Sequence, residues 1–127
     1  MQIFQTKWFA HWADKEGLSS RTLCAAVAEM SQGLIDANLG GHVVKKRVSL
    51  GGRGKSGGVR TLLAFKTNDK AFFLYGFAKN QQSNITEKEL KALKLLAAKL
   101  LAYDGRQLAN AMAAQELYEV KEDDDEA

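Results

Sequence analysis

Hydrophobic positions along this chain follow a helical period, then an alternating one, then a helical one again. Ile3 and Phe4 open a short apolar strand. Over 7–15, Trp8, Phe9 and Trp12 recur at helical spacing, and Gly17 stops the run. Ser19 or Ser20 caps a second helix whose Leu23, Val27, Met30 and Leu34 repeat at i, i+4, i+7 and i+11. Gly33 and then Asn38, Leu39, Gly40 and Gly41 punctuate its end. Two amphipathic helices joined by a short turn predict a helical hairpin with one apolar side.

Beyond Gly41, Val43, Val44, Val48 and Leu50 are strand formers set among Lys45, Lys46 and Arg47. A loop over 51–58, G-G-R-G-K-S-G-G, separates them from a second strand over 59–67. There Val59, Thr61, Leu63 and Phe65 alternate with Arg60, Leu62, Ala64 and Lys66. Asn68 and Asp69 predict a two-residue hairpin turn. The returning strand over 71–78, nearly continuous in Phe72, Phe73, Leu74, Tyr75 and Phe77, reads as the central one. Thr86 and Glu89 have capping-box spacing ahead of a helix carrying Leu90, Leu93, Leu96, Leu100 and Leu101. Asp104 and Gln107 repeat that spacing before a short helix with Leu108 and Met112. Strands joined by hairpins predict an α+β fold, an antiparallel sheet packed against an N-terminal helical hairpin and a C-terminal helix.

Composition narrows the functional classes. The chain has 127 residues, one cysteine (Cys24), two histidines (His11 and His42) and no proline. One cysteine and no Cys/His cluster exclude a disulfide scaffold and a zinc module, so neither a metal nor another cofactor is expected. The opening residues have no signal-peptide core and no stretch is long and apolar enough for a membrane span, which predicts a cytoplasmic protein with no membrane partner. The net charge of +3 conceals a division: residues 116–127 hold seven acids and one base, and the remaining 115 hold 17 bases and eight acids. We expect one basic domain over 1–120 and an acidic, disordered tail over 121–127. A field that basic attracts polyanions, nucleic acid first.

The glycine loop resembles two nucleotide-binding motifs and satisfies neither. Gly54, Lys55 and Ser56 end like a Walker loop, but the first glycine of that motif falls on Ser49 and a strand follows where a helix is required. The G-x-G-x-x-G match over 52–57 fails on the same context. What the segment does hold is charge: Lys45, Lys46, Arg47, Arg53, Lys55 and Arg60 with no acid among them. Lysines can simply protect a sheet edge. Arginines beside a glycine-rich loop, where backbone can approach a ligand, instead suit a phosphate backbone.

The segment 44–48 (V-K-K-R-V), Gly54 with Lys55, Ser56, Gly57 and Gly58, the pair Arg60 and Thr61, the run F-L-Y-G-F-A-K-N over 73–80, and Asn84, Ile85, Glu89 and Leu90 together resemble the HigB branch of the RelE/ParE toxin superfamily, over roughly residues 1–120. The resemblance implies a microbial-RNase-like (RelE-like) fold. It implies the toxin of a type II toxin–antitoxin pair, a ribosome-dependent endoribonuclease that cuts mRNA in the A site and is neutralised by a cognate antitoxin, usually of helix-turn-helix type. Two positions depart from the relatives: Val59 precedes the motif arginine where an aromatic is common, and Asn80 stands where arginine is frequent. Residues 81–91 also carry no tyrosine or histidine for proton transfer. A gyrase-poisoning relative and a non-catalytic nucleic-acid-binding module are the alternatives.

For RNA cleavage by the 2′-hydroxyl, Arg60 suits the non-bridging phosphate oxygens because its guanidinium can hold two of them. Lys55 is the candidate base, its pKa lowered by neighbouring cations. Lys79 is the candidate on the leaving-group side. Lys45, Lys46, Arg47 and Arg53 are candidates for holding RNA backbone, while Tyr75 and Phe77 could stack a base or belong to the core.

Overall fold

Four side-chain oxygens start the helices. Thr6 accepts the Phe9 N–H, Ser19 that of Thr22, Thr86 that of Glu89 and Asp104 that of Gln107. The last two are complete capping boxes, with Glu89 and Gln107 bonding back to the cap N–H. The computed structural model describes residues 1–50, 58–79, 82 and 84–122. In chain order its elements are β1 (Gln2–Thr6), α1 (Lys7–Glu16), α2 (Ser20–Ser31), β2 (Ala37–Asn38), β3 (Val43–Val48), β4 (Val59–Lys66), β5 (Lys70–Ala78), α3 (Glu87–Leu101), α4 (Gly105–Ala113) and β6 (Leu117–Glu119).

Among the described residues the strands form one sheet in the order β2-β3-β4-β5-β1-β6. Its neighbours are antiparallel except for β1, which lies parallel to β5 with Phe4 opposite Phe72. The fold is the expected α+β class. The helices, however, cover both faces of the sheet. Leu62, Ala64, Phe72 and Val43 pack under α3 and α4 with Ala97, Leu100, Leu108 and Ala111. Leu63, Phe65, Phe73 and Val44 pack under α1 and α2 with Phe9, Leu23, Val27 and Met30, and Cys24 sits at the margin of that cluster.

Local readings are corrected at three places. The second helix ends at Ser31, and Gly33 at φ 92° turns the chain away, so Leu34 leaves the apolar stripe and is exposed. The β4–β5 connection is longer than two residues: Lys66 pairs with Lys70, Asp69 N–H closes on the Lys66 carbonyl, and Asn68 takes φ 62°. The short edge strands β2 and β6 lie in segments read as punctuation and appendix. No helix among the described residues is long and apolar enough to cross a membrane.

Candidate nucleic-acid interface

Alternation along β3 sorts its bases between the two faces. Val44, Lys46 and Val48 are buried toward the α1 and α2 side, which leaves Val43, Lys45 and Arg47 on the α3 side. Lys46 is accordingly separated from its neighbours: its side chain is only 10% exposed and its Nζ lies 2.8 Å from Glu29 Oε1 on α2. Its carbonyl accepts the hydroxyl of fully buried Thr61 at 2.8 Å. Lys46 therefore stands on the opposite face from Lys45 and Arg47, with its ammonium against α2 and paired with a carboxylate.

On the α3 face two rows cross the sheet. In the first, Lys45, Leu62 and Tyr75 are in register; in the second, Arg47, Arg60 and Phe77. The position of Tyr75 depends on a bulge. Register passes from Leu62 opposite Tyr75 to Leu63 opposite Phe73, so Leu74 is the extra residue of β5. With uninterrupted alternation Tyr75 would follow Ala71 and Phe73 onto the α1 side. The bulge turns Tyr75 and Phe77 onto the face of Arg60.

Tyr75 marks where α3 begins. Its hydroxyl donates to Glu89 Oε2 at 3.1 Å and lies 3.2 Å from Gln82 Oε1, while Glu89 Oε1 accepts the Thr86 N–H at 2.9 Å. Burial, then the bond to Glu89 and its charge, push the Tyr75 phenol above its ordinary pKa. The Thr86 N–H is the main reason that the Glu89 carboxyl titrates below its ordinary value. The second row lies beyond this first turn of α3. Arg47 is exposed and Arg60 half-buried, and neither has an ion-pair partner among the described residues. Like charges directly opposite on neighbouring strands repel. Asp36 Oδ2 accepts the Arg47 backbone N–H, so one carboxylate lies beside this cross-strand pair of arginines without ion-pairing to either guanidinium.

Lys79 is exposed at the exit of β5, two residues past Phe77. Phe77 is a core residue, 3% exposed, which leaves Tyr75 as the partly accessible aromatic of the two. Lys55 and Arg53 lie outside the described residues, as do Asn80 and the acids of 123–127. The structure thus brings Arg60, Arg47 and Lys45 onto one face and turns Lys46 away. Sequence reasoning used Glu89 as a helix cap and as part of the family resemblance and missed its bond to Tyr75; the signal was a capping glutamate downstream of a strand tyrosine.

A family model described as the RelE toxin of the RelE/RelB toxin–antitoxin system matches residues 1–120. No curated protein matches the chain.

Proposed function

Because this chain belongs to the RelE toxin family, which implies a cognate antitoxin as its partner, we propose that it is a HigB-like, ribosome-dependent endoribonuclease acting on mRNA in the cytoplasm. The observation that supports this most strongly is the cross-strand pair Arg47 and Arg60, two opposed arginines whose guanidiniums have no ion pair among the described residues. A mutually repelling pair of guanidiniums is stabilised by a phosphate between them.

RNA supplies the nucleophile. Loss of the 2′-hydroxyl proton lets that oxygen attack the adjacent phosphorus, and the bond to the 5′-oxygen breaks as that oxygen takes up a proton. The products are a 2′,3′-cyclic phosphate and a 5′-hydroxyl. Arg60 holds the non-bridging oxygens, where negative charge develops in the transition state. Lys55 assists removal of the 2′ proton and Lys79 serves the leaving oxygen. Arg47, Lys45 and Arg53 hold the backbone on either side, and the antitoxin, of helix-turn-helix type, neutralises the toxin.

The test is translation-dependent cleavage, read by mapping mRNA 5′ ends during expression. Arg60→Ala is expected to abolish the cuts while the protein stays folded and still binds its antitoxin. Undiminished cleavage by that variant overturns the assignment, and growth arrest with DNA damage but no mRNA cuts assigns the chain to the gyrase-poisoning branch.

A further inference from the structure

The outer side of α1 carries one exposed aromatic, Trp8, beside Trp12, whose ring packs partly against the core. Phe9 and Ala13 face the sheet, whereas Trp8 is 49% exposed. Trp8 stacks on Trp12 with centroids 6.2 Å apart and on Tyr75 at 4.8 Å, and Tyr75 lies 6.3 Å from Phe77. An aromatic ridge therefore runs from α1 to the strand residue paired with Arg60.

Bases lie along one side of that ridge. At 100° per residue, Lys7, His11, Lys15, Trp8 and Trp12 occupy an arc of about 140° on α1, with Asp14 about 20° beyond its Lys7 edge and Glu16 about 40° beyond its Trp12 edge. The same five residues line a shallow groove of about 490 Å³. Neither lysine has an ion-pair partner among the described residues. An exposed indole beside lysines with no ion pair is complementary to a nucleotide, whose base offers a π-face and whose backbone offers negative charge.

We infer that the Trp8 and Trp12 face of α1 is a second RNA subsite, a stacking platform for an unpaired base with Lys7, His11 and Lys15 against the adjoining phosphates. The platform extends the RNA path from the Arg60 row across Tyr75 and onto α1. The inference rests on the nuclease reading only for its choice of RNA as the polyanion.

The probe is a short single-stranded oligoadenylate titrated into the full chain, read by quenching of the two tryptophans and by anisotropy of a labelled copy. Trp8→Ala is expected to weaken binding about tenfold and Trp8→Phe to restore most of it, since stacking requires a ring and not an indole. Lys7→Ala and Lys15→Ala should each reduce the slope of log affinity against log salt by about 0.7. Denaturation midpoints check that Trp8→Ala stays folded, and Trp8→Phe serves as the comparison if it does not. Unchanged affinity in Trp8→Ala, no measurable binding by the unmodified chain, or a loss not rescued by phenylalanine overturns the inference. Trp8→Ala that retains RNA affinity but loses antitoxin also overturns it, and assigns the face to protein docking. Cleavage by Arg60→Ala reports separately: if that variant is dead while Trp8→Ala binds oligoadenylate normally, the nuclease reading stands and the platform falls. The reverse pair of results keeps the platform and removes the nuclease.

Discussion

Tyr75 donates its hydroxyl to Oε2 of Glu89 across 3.1 Å, joining the bulged stretch of β5 to the first turn of α3. With its phenol pushed up by burial, Tyr75 stays the donor across the neutral range.

The sign of the pH dependence follows from Glu89. Its folded pKa lies below the ordinary 4.5, chiefly because the Thr86 N–H bonds its charged form, against a smaller opposing effect of desolvation. A depressed carboxyl contributes stability that is present above its unfolded value and is lost as pH falls through the folded one. Glu89→Gln keeps the capping geometry, because glutamine serves at that position, but removes the titration. The unmodified chain should exceed Glu89→Gln by no more than about 1 kcal/mol at neutral pH, the side chain being solvent-screened. Urea midpoints should converge as the pH is lowered well below 4.5. A gap that persists in acid would show that charge is not its source.

Gly76 lies opposite Thr61 on the α1 side of the sheet, and the ring of Trp12 packs directly on its backbone. A Cβ at Gly76 would occupy the space of that ring. Gly76→Ala should therefore displace Trp12 and cost about 1–3 kcal/mol by chemical denaturation. In a Trp12→Ala background the same substitution should cost much less, and a double-mutant cycle measures the coupling.

Phe4 is fully buried, stacks on Phe72 at 5.1 Å and pairs with it in the one parallel junction of the sheet. Phe4→Ala should lower stability by about 3–5 kcal/mol, the cost of emptying an aromatic site in a core. Phe4→Leu should recover much of it. Comparable midpoints for Phe4→Ala and the unmodified chain would mean that the N-terminal strand is dispensable.

Features written in local chemistry could be read from the chain. The caps at Thr86 and Asp104 lie three residues from their partners, and the strands around Asn68 are near neighbours, so spacing alone locates them. The parallel pairing of Phe4 with Phe72 joins segments far apart in sequence, and no local pattern encodes it. The bulge at Leu74 is equally hidden, because a continuous apolar run gives no alternation to interrupt. Lys46 is the instructive case. Alternation already separated it from Lys45 and Arg47, but which face was open depended on α2 and Glu29 packing over one of them.

That sorting predicts different behaviour from adjacent lysines. Lys46→Met retains the buried stem and loses a pair whose carboxylate partner is 56% exposed, so it should change stability by about 1 kcal/mol or less. The salt slope of RNA binding should not move. Lys45→Met should leave stability nearly unchanged and reduce the slope by about 0.7. Equal slopes for the two variants would place both bases, or neither, on the RNA.

The pair Arg47 and Arg60 predicts an exchange of stability for binding. Directly opposed like charges on neighbouring strands are destabilising by roughly 0.2–1 kcal/mol, and neither guanidinium is ion-paired among the described residues, although the Asp36 carboxylate accepts the Arg47 backbone N–H. Arg47→Thr removes the repulsion and puts a good strand former at an exposed position, so the free protein should become more stable by about that amount. The same substitution should weaken RNA binding and flatten its salt dependence by about 0.7. Phosphate ion supplies the control: added phosphate should raise the melting temperature of the unmodified chain more than that of Arg47→Thr, because only the former holds two cations that an anion can bridge. A variant that is destabilised, or that responds to phosphate as the unmodified chain does, would show that the two arginines neither repel nor share a ligand.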